Sequence, residues 1–153
     1  MSSPGTTVGH KLLAFWQDLG LDVRPGVSAA ELVQFEARYG VALPEGLRHY
    51  YSVVDGVEGE SMVSGHLFRF WPLREVKLLS EELPEEPLHH SEFKDYFLFA
   101  DYSLWTCAYA VRLTKNLGRR NFIVMVGGDV PINLAESFEE FVQIYLYDPS
   151  RLT

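Results

Sequence analysis

The strongest hydrophobic pattern in the chain predicts two consecutive helices between residues 27 and 56. The apolar positions of the first helix recur at i, i+3 and i+7, and they are Leu32, Phe35 and Tyr39. Ser28 and Glu31 form a capping box before this stripe, and Gly40 follows it, where a left-handed residue would end the helix. Glu36 borders the buried stripe, so its carboxylate needs a partner, most simply the first amides of the second helix.

The second helix of this pair is expected to begin near Pro44, because proline is tolerated in a first turn whose N–H has no helical acceptor. Its apolar face consists of Leu47, Tyr50, Tyr51 and Val54. The Asp55-Gly56 pair is expected to end it. Two more helices are predicted, one around residues 10–19 and one that follows a second capping box at residues 137–140.

Short apolar or alternating runs predict five strands between these helices. The runs are HLFRFW (66–71), YFLFA (96–100), WTCAYAVRL (105–113), FIVMV (122–126) and VPINL (130–134). YFLFA is apolar at every position, which is typical of a central strand covered on both faces. The element order predicts a single α+β domain, with a mostly antiparallel or mixed central sheet of four to six strands packed by N-terminal helices and a C-terminal helix.

Composition agrees with one folded domain. At 153 residues, 47% hydrophobic and 14% aromatic, the chain can bury a sizeable core, and we expect the domain to cover residues 9–153 after a disordered N-terminus of residues 1–8. Core positions are expected at Leu32, Phe35, Leu47, Phe97, Phe99 and Tyr109. No apolar run approaches the ~18–20 residues of a membrane span, and the start lacks a secretory signal pattern. Cys107 is the single cysteine, so a reducing, cytoplasmic setting is expected.

The acidic charge is concentrated in one part of the chain. The formal net charge is −8, and residues 55–101 contain eleven acidic but only four basic side chains. Residues 102–153 contain five of each sign. A field of this sign repels nucleic acid and anionic membranes and attracts a basic protein. We therefore expect a protein partner, with neither nucleic acid nor membrane as a ligand.

Candidate catalytic and metal-binding residues are few. The chain has no phosphate-binding glycine motif and no close metal-binding histidine pattern, so neither a cofactor nor a metal is expected. His89-His90 lies in a proline- and glutamate-rich stretch where exposed side chains are the commoner case. A remote alternative is a hydrolase that uses Cys107 or a histidine paired with Asp55, Asp101 or Asp129, but structural thiols and turn aspartates are the simpler interpretation.

The order of these segments resembles the SUKH superfamily, the Smi/Knr cell-wall-regulator and bacterial immunity-protein family. The resemblance is carried by Leu32, Phe35-Glu36, Tyr39-Gly40, Leu43-Pro44, Asp55-Gly56, Leu67–Val76, Phe99–Val111 with Asp101, and Ala135–Phe141. Phe35, Glu36, Gly40, Leu43, Pro44, Gly56 and Asp101 are the positions at which it implies a structural role. The chain departs from the pattern at Asp55-Gly56-Val57, where many members carry Asn-Gly-Gly.

The resemblance implies an α+β domain that binds proteins and has no catalytic activity. Many bacterial members are immunity proteins that neutralise polymorphic toxins, often nucleases, whereas the fungal regulators act as interaction hubs. A basic toxin domain would suit the acidic part of this chain. The residues expected to contact it are Asp55, Glu58, Glu60, Glu81, Glu82, Glu85 and Glu86, with Trp71 and Trp105 as aromatic anchors. The alternative for each glutamate is a merely solvated surface.

Overall fold

The fold combines helices and strands, and the computed structural model describes it at residues 4–57, 67–82, 93–103, 105–116, 120–127 and 131–153. Within these ranges the helices are α1 (Pro4–Asp18), α2 (Ala29–Tyr39), α3 (Glu45–Val53), α4 (Leu79–Glu82) and α5 (Phe138–Tyr147). The strands are β1 (Val23–Pro25), β2 (Val54–Val57), β3 (Phe68–Phe70), β4 (Lys77–Leu78), β5 (Tyr96–Tyr102), β6 (Cys107–Arg112), β7 (Ile123–Val126) and β8 (Ile132–Ala135). Leu73–Glu75 and Pro149–Leu152 are 3₁₀ turns.

Six of these strands form one antiparallel sheet around β5. The order is β3-β5-β6-β7-β8, and β4 pairs with β5 farther along the edge that β3 occupies. β5 is therefore paired on both sides, and its residues 96–101 are buried, as the apolar run at 96–100 predicts. β1 and β2 form a separate antiparallel pair. The predicted α+β domain with a largely antiparallel sheet is confirmed.

The two faces of the large sheet carry cores of different size. Side chains of α1, α2, α3 and α5 join one face in a large cluster that includes all six residues expected in the core, which are at most 8% exposed. The other face has a smaller cluster, made of Trp71, Leu79, Tyr96, Leu98, Ala108, Ala110, Val124 and Val126. The helix-covered face therefore supplies most of the hydrophobic stabilisation, which scales with buried apolar area.

A bulge in β5 places Asp101 on the face of the smaller cluster. Leu98 lies opposite Ala110 in β6, but the next aligned pair is Ala100 with Tyr109, so Phe99 is the extra residue. Phe99 and Ala100 consequently both face the large cluster. One extra residue moves every later side chain of a strand to the other face. Asp101 is thereby turned away from the helix-covered core and towards Trp71.

The predicted corner between α2 and α3 is present with its caps. The Ser28 Oγ accepts a hydrogen bond from the Glu31 N–H at 3.2 Å, and Gly40 ends α2 in the left-handed region at φ 67°. Pro44 is the residue just before the first turn of α3. The local signals that predict α2 and the start of α3 are therefore the ones that form them.

The carboxylate of Glu36 joins the two helices of this corner. It accepts a hydrogen bond from the Leu43 N–H at 2.7 Å and forms an ion pair with Arg48 of α3. Burial alone would raise the pKa of Glu36, but these two partners outweigh it, and the pKa lies below its usual value. The backbone partner of Glu36 is thus the Leu43 amide, which lies just before the second helix and not in its first turn. Arg48 is a second partner of Glu36, which the sequence analysis missed.

Two helices, α3 and the N-terminal one, have an end that differs from the sequence-based expectation. α3 ends at Val53, and Val54 belongs to β2, because Val54–Val57 pairs with β1 and is wholly buried. The N-terminal helix begins at Pro4, so residues 4–8 are helical where disorder is predicted. Proline suits the first turn of a helix, and Val8, 4% exposed, extends the buried stripe by one turn.

Candidate functional site

Asp101 of β5 links two tryptophans that are far apart in the sequence. Its Oδ2 accepts a hydrogen bond from the Trp71 Nε1–H at 2.6 Å, and its carboxylate also accepts one from the Trp105 backbone N–H. Asp101 is only 5% exposed, and this burial raises the pKa of its carboxyl group, although both donors and the nearby Arg69 oppose the shift. Asp101 therefore acts as a positioning residue for Trp71 and Trp105.

Trp105 is held at the surface by a strained turn. The turn that leads from β5 to β6 contains Ser103 at φ 52° and Trp105 at φ 72°. A bulky side chain at positive φ costs about 1–2 kcal/mol, so its persistence needs compensating contacts. The Trp105 ring packs on Trp71 with centroids 5.2 Å apart, and Thr106 donates its hydroxyl to the Ser103 carbonyl at 2.8 Å. Local strain of this kind concentrates at binding sites.

A groove runs from Trp105 along the side of α2. One part, of about 600 Å³, is bordered by Tyr39, Trp71, Lys77, Glu81, Glu82 and Trp105, among others. A second part, of about 490 Å³, is bordered by Glu31, Gln34, Phe35 and Asp55. The two parts share Arg38, Tyr39, Arg74 and Val76. We refer to both parts together as the α2 groove.

Most acidic side chains of the α2 groove have a partner within it. Glu75 accepts two hydrogen bonds from the Arg69 Nη2, both at 3.0 Å, and Glu82 lies 2.5 Å from the Lys77 Nζ. Glu81 accepts a hydrogen bond from the Leu78 N–H at 3.1 Å. The carboxylates of the groove are therefore anchored and largely compensated, and they do not form an uninterrupted negative surface.

Asp55 is a structural residue, which corrects its assignment to the partner-binding surface. It is 5% exposed, accepts a hydrogen bond from the Leu73 N–H at 2.7 Å and lies 3.4 Å from the Arg24 Nε. Burial raises the pKa of its carboxyl group, while Leu73 and Arg24 oppose the shift. Asp55 thus ties β2 to the 3₁₀ turn at Leu73–Glu75 and has little surface to offer a partner.

The other predicted contact residues divide into three groups. Glu81 and Glu82 are exposed at the border of the α2 groove, and Trp105 is 41% exposed beside them. Trp71 is only 3% exposed, and its ring packs against Trp105 on the buried side. The prediction that Trp71 is an exposed anchor is therefore wrong. Glu58, Glu60, Glu85 and Glu86 lie outside the described residues.

The hydrolase alternative gains no support from the residues that the structure describes. The Cys107 Sγ lies 3.6 Å from the Tyr109 hydroxyl, which donates to the Leu152 carbonyl at 2.6 Å. The described hydrogen-bond partners of Asp55 and Asp101 are backbone amides, an arginine and a tryptophan, with no histidine among them. Asp129, His66, His89 and His90 lie outside the described ranges.

Metal sites and membrane spans can be assessed for the same ranges. Their His, Cys, Asp and Glu side chains contain no group of three or more that could hold a metal ion. Among the helices described, none combines the length and the apolar character that crossing a membrane requires.

Sequence analysis missed the basic residues of the α2 groove. Arg38 lies in the last turn of α2, just before Tyr39, and Arg69 and Arg74 lie in β3 and in the 3₁₀ turn that follows it. A count of charge along the sequence shows the acidic excess but not which acids meet a base in space. The spacing of Glu31, Gln34 and Arg38 at i, i+3 and i+7 was the available signal that these side chains share one face of α2.

Comparison with known proteins gives one match. The sequence model of the SMI1/KNR4 family (SUKH-1) matches residues 26–144, from just before the cap of α2 into α5. The match therefore includes all strands of the large sheet and all of the α2 groove except Arg24. None of the curated proteins compared with the chain matches it.

Proposed function

Since the chain belongs to the SMI1/KNR4 family (SUKH-1), we propose that it is a non-enzymatic immunity protein that neutralises a toxin by binding it directly. The family is commonly a protein-interacting domain and generally non-enzymatic. The proposed partner is a basic toxin domain, most simply a nuclease, whose active-site surface an acidic protein would cover. The proposed setting is the cytoplasm, where reducing conditions suit a free cysteine such as Cys107.

The observation that carries the proposal is the exposed Trp105 beside Glu81 and Glu82. Tryptophan is enriched among the few residues that dominate protein–protein binding energies. Trp105 is already fixed by its turn and by Trp71, so it loses little conformational freedom when a partner covers it. Acidic groups around such an anchor favour a basic partner and accelerate its association.

The proposed acidic contact set is smaller than the sequence suggests. Asp55 is excluded because it is buried and paired. The remaining members are Glu58, Glu60, Glu81, Glu82, Glu85 and Glu86. In this proposal they steer the partner towards Trp105, and the contact itself concentrates on the tryptophan.

Replacing all six glutamates by glutamine tests this surface. We expect association with the toxin at low salt to slow by about tenfold or more, because steering depends on these charges. The difference from the parent protein should shrink as salt screens the charges. Stopped-flow binding measures the rates, and survival of cells that express the toxin measures protection. The free energy of unfolding should change by less than about 1 kcal/mol, because exposed charges contribute little.

A matched pair of double variants separates local from global charge effects. Glu81→Gln/Glu82→Gln and Asp18→Asn/Asp22→Asn each remove two exposed negative charges, but only the first pair borders the α2 groove. Slower association with the first pair alone supports the proposed surface. If the two variants slow association equally, or if the six-fold variant binds as fast as the parent at low salt, this surface is the wrong one.

The second candidate is a regulatory interaction hub of the Smi/Knr type without a toxin partner. The family match favours it as directly as it favours immunity, because the family takes its name from such regulators. Gene neighbourhood separates the two: an adjacent gene for a large toxin supports immunity, and its absence supports the hub. A hub should also bind several unrelated proteins through the same residues.

A further inference from the structure

Two arginines in the middle of the α2 groove have no acidic partner among the residues that the structure describes. Arg38 of α2 and Arg74 of the 3₁₀ turn are both exposed, and neither forms an ion pair with any described residue. The other bases of the groove are paired: Arg24 with Asp55, Arg69 with Glu75, and Lys77 with Glu82. The uncompensated charge at the centre of the groove is therefore positive, although the protein as a whole is negative.

The two acids of the groove without an ion pair, Glu31 and Glu81, each have a favourable interaction with the backbone. Glu31 lies in the first turn of α2, where a negative charge interacts favourably with the helix dipole. Glu81 accepts the Leu78 N–H and lies 3.4 Å from the Tyr39 hydroxyl. Neither carboxylate is paired with Arg38 or Arg74. Both guanidinium groups can therefore accept a ligand without displacing an internal ion pair.

The dimensions of the α2 groove suit a short extended peptide. Its long wall follows α2 from Glu31 to Tyr39, a distance of about 12 Å at 1.5 Å per helical residue. An extended chain advances about 3.3 Å per residue, so roughly four residues span this wall. Arg38 and Arg74 border both parts of the groove, and Trp105 lies at one end. A carboxylate near the middle and an apolar side chain at the end can therefore bind together.

We propose that the α2 groove binds an acidic, extended segment of a protein partner. Carboxylates of the segment pair with Arg38 and Arg74, and an apolar or aromatic side chain packs on Trp105. Arginine suits this role because its planar guanidinium can donate two parallel hydrogen bonds to one carboxylate. The inference goes beyond the proposed function, because it assigns the α2 groove a ligand whose charge is opposite to that of the proposed toxin, with Trp105 as the anchor in both cases. It does not depend on whether the partner is a toxin or a regulated protein.

A protein segment fits this groove better than a nucleic acid does. Both offer anions to Arg38 and Arg74, but nucleic acid brings a run of phosphates towards a protein of net charge −8. A short peptide brings only one or two carboxylates, which Arg38 and Arg74 can neutralise. The acids that border the groove, such as Glu81 and Glu82, would repel further anions on either side.

The test uses the full chain and a fluorescein-labelled hexapeptide, Glu-Leu-Glu-Leu-Glu-Glu, in a fluorescence anisotropy titration. We expect the probe to bind, and a probe with glutamine at each glutamate position to bind much more weakly. Arg38→Gln/Arg74→Gln should weaken binding of the acidic probe by about tenfold, the combined effect of two partly exposed ion pairs. Trp105→Ala should weaken both probes by a similar factor, because it removes the apolar contact.

The matched control is Lys11→Gln/Arg151→Gln, which also removes two positive charges, from exposed residues elsewhere that form no ion pair with a described residue. The control should bind the acidic probe like the parent protein. The proposal is overturned if the probe fails to bind at millimolar concentration, or if both double variants weaken binding equally. It is also overturned if a single-stranded oligonucleotide binds more tightly than the peptide and shows the same dependence on Arg38 and Arg74.

Discussion

Two regions of this domain each place a carboxylate at the junction of several elements, with opposite electrostatic results. In the α2–α3 corner, Glu36 is partly exposed and bound to Arg48, and its pKa lies below the usual value. In the tryptophan cluster, Asp101 is buried and bound to neutral N–H groups of Trp71 and Trp105, and its pKa lies above the usual value. The corner stabilises the charged form of its acid, whereas the cluster stabilises the neutral form.

The difference reflects what each region is built to do. The corner consists of residues close in sequence, and its caps and ion pair fix the angle between two helices. The cluster joins Trp71, which follows β3, to Asp101 and Trp105, which lie in β5 and the turn after it. It contains a buried acid and a strained turn, and together they hold one indole at the surface. Energetically costly arrangements that persist are commoner at functional sites than in purely structural ones.

The largest effect is expected from glycine substitutions, since the two regions contain glycines with nearly equal φ. Gly56 lies at φ 70°, and a Cβ there would be 2.6 Å from the Phe70 carbonyl oxygen and 2.8 Å from the Trp71 backbone. Gly40 lies at φ 67°, and a Cβ there would find only the flexible Lys115 side chain, at 3.5 Å. Gly56→Ala should therefore cost roughly 3 kcal/mol or more, and Gly40→Ala about 1 kcal/mol.

Urea denaturation of the two variants measures this difference. The Gly40→Ala variant serves as the control, because it carries the same left-handed penalty without the backbone clash. Equal losses of stability would mean that β2 can move away from β3 at little cost. The tryptophan cluster would then be less tightly constrained than its distances indicate.

The next effect concerns the pH dependence of stability, which has opposite sign at the two carboxylates. Asp101 has a folded pKa above 3.8, so its contribution is fully present below the unfolded pKa and is lost as pH rises through the folded pKa. Glu36 has a folded pKa below 4.5, so its contribution is present above the unfolded pKa and is lost as pH falls through the folded pKa. Glu36→Gln should therefore cost about 1–2 kcal/mol at neutral pH and less in acid.

Asp101→Asn should show the reverse trend, with its stability relative to the parent improving as pH rises. Urea unfolding of parent and both variants at several pH values between about 3 and 7 measures both slopes. Asp55 also has a raised pKa, but it is present in all three proteins and cancels in the comparison. If the stability of both variants relative to the parent changed with pH in the same direction, the two carboxylates would have equivalent environments. The difference between the corner and the tryptophan cluster would then be wrong.

Local interactions explain why the corner could be predicted from sequence and the cluster could not. Ser28 and Glu31 are three residues apart, as are Ser137 and Glu140, and in each pair the serine Oγ accepts the predicted hydrogen bond from the glutamate N–H. The β1–β2 pair was missed because each strand is at most four residues long and its partner is about thirty residues away. Such short strands are specified by the surrounding fold and not by their own pattern.

The same limit applies to the candidate site. Trp105 and Glu81 were predicted as surface residues and border one groove, but Trp71 and Asp55 turned out to be buried. Nothing in the run YFLFADY shows that Phe99 forms a bulge, yet that bulge decides which face Asp101 occupies. Arg38 and Arg74 can be recognised as arginines without an ion pair only after the ion pairs of the groove are known, because charge compensation depends on three-dimensional neighbours.

The smallest expected effect compares glycine with alanine at one exposed position in each region. Val33 of α2 is 57% exposed in a regular helix. The Val33→Gly variant should therefore be less stable than Val33→Ala by about 1 kcal/mol, because glycine loses more backbone entropy on folding. Trp105 lies at φ 72°, where alanine retains the steric penalty of a left-handed residue and glycine removes it. Trp105→Gly should therefore be more stable than Trp105→Ala by about 1 kcal/mol, the opposite order. Both Trp105 variants lose the indole equally, so their difference reports the backbone alone, and urea midpoints measure it. If alanine were the more stable residue at both positions, the turn would not be strained, and the high cost assigned to presenting Trp105 would be wrong.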